Sequence, residues 1–133
     1  MAKKILIIDD EADIETFLNT LLREHGYETM AASDGGKGWD LLKSFRPDLI
    51  TLDIIMPKET GQKFYRKLIK DPETRDIPVI ILSGVTRYKE LFGRDHATMP
   101  KPYAFVEKPV VPEELVSLIK EALSSKNKSK AAR

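Results

Sequence analysis

The 133 residues contain no cysteine, which excludes a disulfide framework, a thiolate zinc site and a cysteine nucleophile. Histidine occurs only as His25 and His96, and tryptophan only as Trp39. His25 falls at a helix end and His96 in a polar loop, so neither is given a ligand or catalytic role. Trp39 reads as packing or surface. Neither sign of charge is in excess: 22 basic residues stand against 21 acidic ones, a net of +1. No global field therefore marks a nucleic-acid binder. Long hydrophobic runs are also missing. Ile5 to Ile8 is only four residues and stops at Asp9-Asp10-Glu11, so it cannot be a secretory signal core. No apolar stretch approaches a membrane span. These absences lead us to expect a cytoplasmic protein with no membrane insertion and no direct nucleic-acid contact.

What remains is 41% hydrophobic and 32% charged, the mixture of a soluble globular chain, at a length that fits one domain. We place that domain at residues 1–123. Residues 124–133 carry Lys126, Lys128, Lys130 and Arg133 with no acid, and are expected to be a solvated, frayed basic tail.

Short β-branched runs alternate with helical patterns. Lys4 to Ile8 reads as a strand buried on both faces. Ile14, Phe17, Leu18, Leu21 and Leu22 form one helical stripe, closed by Gly26. Tyr27 to Ala32 is a weaker strand. Asp34 can cap a helix to Phe45, although Gly35, Gly36 and Gly38 weaken its first turn. Leu49 to Leu52 is a third strand, ending at Asp53. A helix runs from about Gly61 to Lys70 and stops at Asp71-Pro72. Pro78 to Leu82 is the fourth strand and Ala104 to Glu107 a short fifth. The last helix starts near Pro112. A β-α unit repeated five times implies a parallel sheet covered by helices on both faces, an α/β three-layer sandwich.

In such sheets ligands bind beyond the carboxyl ends of the strands. Asp9-Asp10-Glu11 follows the first strand, Asp53 ends the third, Ser83-Gly84 ends the fourth and Lys108-Pro109 follows the fifth. Converging carboxylates repel unless a cation joins them, and magnesium takes such oxygen ligands together with phosphate and water. An adjacent ammonium and hydroxyl can hold phosphoryl oxygens. The chemistry suggested is phosphoryl transfer onto a carboxylate.

Over residues 4 to 123 the chain resembles the receiver domain of two-component response regulators. The matching stretches are Ile7-Ile8-Asp9-Asp10-Glu11, Leu52-Asp53-Ile54-Ile55-Met56-Pro57 with Gly61, Leu82-Ser83-Gly84, and Phe105-Val106-Glu107-Lys108-Pro109. The resemblance implies a flavodoxin-like (βα)5 fold with strand order 2-1-3-4-5. It makes Asp53 the phosphoacceptor, served by a sensor histidine kinase, a phosphotransfer protein or a small phosphodonor. Asp10 and Asp53 would bind Mg2+ directly, Asp9 through water, and the backbone carbonyl of Ile55 would be a further ligand. Lys108 would pair with the phosphoryl oxygens. Ser83 would move toward them, with Gly84 leaving space, and Phe105 would be the switch aromatic that follows. A cis peptide is implied between Lys108 and Pro109. The protein would turn over no metabolite beyond its own phosphorylation and dephosphorylation, and would act on an unidentified downstream partner. Whether phosphorylation brings two copies together is left open.

Two features depart from the family pattern. Val85 to Tyr103 contains Pro100 and Pro102 and supports at most a short helix near Tyr88 to Phe92. It is expected to order with phosphorylation or a partner. Ile55 is apolar where some relatives place a polar side chain, which predicts slow loss of phosphate because water is poorly oriented. Competing readings are a receiver that signals without phosphate, an aspartyl-phosphate phosphatase of the haloacid dehalogenase type, and a flavodoxin. The phosphatase wants an Asp where Ile55 stands. The flavodoxin wants a phosphate loop where the acids stand.

Overall fold

Ile5, Leu6, Ile7 and Ile8 are all buried to within 1% of full exclusion from solvent, so the first strand is covered on both faces. The computed structural model describes the backbone of residues 2–54, 61–84 and 102–132, with side chains except at 62 and 125–132. Along the chain lie β1 (Lys4–Ile8), α1 (Ala12–Glu24), β2 (Glu28–Ala32), α2 (Gly35–Phe45), β3 (Leu49–Asp53), α3 (Gly61–Lys70), β4 (Val79–Ser83), β5 (Ala104–Glu107) and α4 (Pro112–Ala132). The sheet is parallel throughout, in the order β2-β1-β3-β4-β5. This is the flavodoxin-like arrangement that the family resemblance implies. The expected short helix near Tyr88 to Phe92 lies outside the described residues.

Two apolar layers flank the sheet. Leu6, Ile8, Ile50, Leu52, Val79 and Ile81 pack against Leu42 and Phe45 of α2 and Phe64, Tyr65 and Leu68 of α3. Ile5, Ile7, Leu49, Ile80 and Leu82 pack against Leu18 and Leu22 of α1 and Leu115, Ile119 and Leu123 of α4. Alternate residues of one strand thus feed opposite layers. Phe17, counted in the α1 stripe from its spacing, lies at the rim and is 37% exposed.

The helix ends follow local chemistry. Asp34 caps α2 by accepting from the Lys37 amide at 2.9 Å. After α1 the chain turns at Gly26, whose φ of +87° suits a residue without a Cβ. Gly38, read as a weakness of α2, has a packing role: a Cβ there would stand 2.9 Å from Ile8 Cδ1, so glycine lets the helix settle on β1. Helical backbone continues from Leu123 through the segment read as a tail to Ala132. No proline or glycine follows Pro112 in the sequence, so nothing breaks the helix after its apolar stripe ends.

Arg46 closes α2 in the left-handed region at φ +52°, a position that favours glycine. Arg46→Gly is therefore expected to be neutral or stabilising, by up to about 1 kcal/mol, with part of the relief offset by glycine's greater unfolded freedom. Urea unfolding checks this; a clear loss of stability would mean that the arginine side chain outweighs the backbone cost.

Candidate functional site

Register brings the strand ends to one edge. Ile8 lies opposite Leu52, so Asp9 and Asp53 each extend one residue past that pair. Asp53 lies opposite Leu82 and Ser83 opposite Glu107, which places Ser83 and Lys108 along the same edge. The Asp9 amide donates to Ala32 O at 3.1 Å and the Lys108 amide to Ser83 O at 2.8 Å, so the ladder carries past the last strand residues. The Lys108–Pro109 peptide is cis.

Three acids converge there. Asp9, Asp10 and Asp53 each offer a carboxylate oxygen, all within 4.8 Å of one another. Asp9 and Asp53 are buried at 1% and 5% exposure, whereas Asp10 faces solvent. Asp9 Oδ1 accepts from the Glu11 amide at 2.9 Å. Its Oδ2 is buried and faces the Lys108 ammonium at 3.1 Å as an ion pair. Burial pushes the Asp9 carboxyl above the usual aspartate range, and the Glu11 amide and Lys108 offset only part of this. An all-oxygen donor set with two buried carboxylates and one solvent-facing acid fits a hard divalent cation.

Lys108 is the cation already at hand. Its side chain is 12% exposed, and Nζ lies 3.0 Å from Glu11 Oε1, 3.1 Å from Asp9 Oδ2 and 3.7 Å from Asp53 Oδ2. Burial alone would lower its pKa. The hydrogen bond to Glu11 and the fields of Asp53 and Asp9 more than reverse that, so the ammonium titrates above its ordinary value.

Ser83, 1% exposed, ends β4 beside Asp53. A Cβ at Gly84 would meet nothing within 4 Å, so packing among the described residues does not demand glycine there. Phe105 is partly buried against the layer that holds Ile81 and Phe64. Ile55 lies outside the described residues. Glu11 closes the Ile7–Glu11 motif with no role implied by the resemblance, yet its carboxylate accepts from Lys108 Nζ. The two are 97 positions apart, and only the path of two long side chains joins them, so spacing gave no signal.

The model of the response regulator receiver domain family matches residues 5–120. Protein PilH of Pseudomonas aeruginosa is 36% identical over 103 residues, covering 73% of this chain and 85% of PilH. Protein Rrf1 of Nitratidesulfovibrio vulgaris is 28% identical over 125 residues, 94% of this chain and 86% of Rrf1. Among solved structures, a CheY-like response regulator receiver domain protein from Methanospirillum hungatei matches with a TM-score of 0.85 and 27% identity, over 97% of this chain and 99% of that one.

Proposed function

Because the chain belongs to the response regulator receiver domain family of two-component signalling, we propose that it is a phosphorylation-controlled switch with Asp53 as its phosphoacceptor. The reading rests on one arrangement. The carboxylate oxygens of Asp9, Asp10 and Asp53 gather within 4.8 Å, and the Lys108 ammonium lies 3.7 Å from Asp53 Oδ2.

One Asp53 carboxylate oxygen attacks the phosphorus of the donor. A new P–O bond forms as the donor's bond to phosphorus breaks. Phosphohistidine releases its imidazole, and an acyl phosphate releases its carboxylate. A bound Mg2+ would screen the negative charge gathered on the phosphoryl oxygens and the acids. Asp10 and Asp53 would hold it directly, Asp9 through water, and the Ile55 carbonyl would complete the protein's share. Lys108 takes the phosphoryl oxygens on its side of Asp53, with its charge already largely desolvated. Ser83 then turns toward the phosphoryl group, and Phe105 follows into the space it opens.

The donor is a sensor histidine kinase or phosphotransfer protein, and the readout is a changed surface for a downstream protein, in the cytoplasm, with no metabolite consumed. Residues 1–123 form the receiver unit. No helix among the described residues is long and apolar enough to cross a membrane.

Intact mass after incubation with Mg2+ and acetyl phosphate tests this. A labile phosphoryl adduct is expected in the native chain, and no adduct without Mg2+ or in Asp53→Asn. The same substitution removes one of three mutually repelling carboxylates, so without metal it should raise stability by about 1 kcal/mol. A folded chain that binds Mg2+ yet takes no phosphoryl group from either acetyl phosphate or a phosphohistidine donor would instead favour a receiver that signals without phosphate.

A further inference from the structure

Glu11 occupies the N-cap position of α1, where a short acid would bond the helix amides, yet its side chain makes no capping bond. Its carboxylate instead accepts from Lys108 Nζ at 3.0 Å, while Asp53 Oδ2 stands farther off at 3.7 Å. The Glu11 side chain is 57% exposed and that of Lys108 only 12%, so the contact holds a largely enclosed ammonium from its solvent side.

Resting on the reading of Asp53 as phosphoacceptor, we propose that Glu11 is a positioning residue that restrains Lys108 in the unphosphorylated protein and competes with the phosphoryl group for it. The ammonium has three acids in reach: Glu11, Asp9 and Asp53. Asp9 and Asp53 belong to the acid cluster and stay through the reaction. Among the described residues Glu11 is the one partner outside that cluster, so it is the bond that can be given up when phosphoryl oxygens arrive. Before transfer the Glu11 bond satisfies Lys108 and draws it to the rim. Afterwards the same bond is a cost to the phosphorylated state. Its strength therefore sets a threshold for switching without touching the reacting atoms.

Two substitutions separate restraint from simple charge. Glu11→Gln removes the carboxylate and weakens the bond to Lys108. Glu11→Asp keeps the charge, but its shorter side chain at an N-cap turns onto the free amides of α1 and leaves Lys108. Restraint predicts that both variants take phosphate from acetyl phosphate faster than the native chain, by about three- to tenfold, the scale of one partly exposed charged hydrogen bond. Both should also bind beryllium trifluoride, a non-covalent phosphoryl mimic, more tightly by a similar factor, read by 19F NMR in the presence of Mg2+. Faster uptake and tighter binding in both variants supports the proposal. An effect in Glu11→Gln with native behaviour in Glu11→Asp overturns it in favour of charge repulsion alone. No change, or a loss, in Glu11→Gln overturns it outright. If the native chain takes neither phosphate nor the mimic, the phosphoacceptor reading itself fails and this inference falls with it. If the native chain takes both and only the variants' response is wrong, this inference alone fails.

Discussion

Gly61→Ala is expected to cost about 3 kcal/mol or more of stability, near the top of the range for overpacking, and to cut phosphoryl uptake at Asp53 at the same time. Gly61 opens α3, and its amide donates to Ile54 O at 2.7 Å. A Cβ on it would collide with the carbonyl oxygen of Asp53 and stand 2.6 Å from Ile54 Cα. Both obstacles are main chain. No rotamer change relieves them, unlike the contact that Gly38 makes with the flexible end of Ile8. Relief requires the start of α3 to lift from the end of β3, which either breaks the Gly61–Ile54 hydrogen bond or drags Asp53 out of register with Leu82. Either route couples stability to the acceptor's position. Urea unfolding and intact mass after acetyl phosphate treatment measure the two effects. Gly84→Ala is the control. With no atom of the described residues within 4 Å of the added Cβ, it should stay within about 0.5 kcal/mol of the native chain. Equal stabilities for the two variants would contradict the close approach at Gly61.

The contrast between those glycines shows where sequence reading succeeds and where it stops. Strands β1, β3 and β4 were legible because a parallel strand covered on both faces is a continuous apolar run. β2 was fainter because it is an edge strand, and Glu28 and Met30 face solvent. The acids and the lysine were legible as a set because each follows a strand, and parallel strands deliver their carboxyl ends to one edge. Pairwise geometry was not legible. Gly38 looked like a defect of α2 because its neighbour Ile8 is remote in sequence. Arg46 carried no sign of its left-handed backbone, since arginine is rarely placed there by local preference. The preference of Lys108 for Glu11 and Asp9 over Asp53 depends on rotamers, not on spacing. Past Leu123 the apolar periodicity ends, whereas helical backbone runs on to Ala132, because lysines and alanines can continue a helix without it.

Lys108→Met should lower stability by about 3 kcal/mol in metal-free buffer at neutral pH, the cost of leaving a buried charge without its partner. Methionine keeps the length of the side chain and removes only the ammonium. Asp9 and Asp53, with side chains 2% and 6% exposed, then lose the ammonium that stands 3.1 and 3.7 Å from them and still face Asp10. Asp9 already titrates above the usual range because it is buried, and Lys108 is one of the groups holding it down. Its carboxyl should rise further, so the variant should regain stability as pH falls and the carboxyl takes up a proton. Mg2+ should act in the same sense by another route. Binding to the folded state alone stabilises by an amount that grows with the ratio of metal to its dissociation constant. Without the ammonium's repulsion the cation should bind the acids more tightly than in the native chain. The midpoint of thermal unfolding should therefore rise more steeply with Mg2+ in Lys108→Met than in the native protein. Phosphoryl uptake should not recover with it, because the phosphoryl oxygens on the Lys108 side still lack their donor; about a hundredfold loss is expected, the scale of removing one preorganised donor. Stability that metal restores while transfer stays lost would separate the two roles of this lysine, neutralising the acids and holding the phosphoryl group. Stability that ignores both metal and pH would mean that Lys108 supports the fold through packing, and that the acids do not depend on its charge.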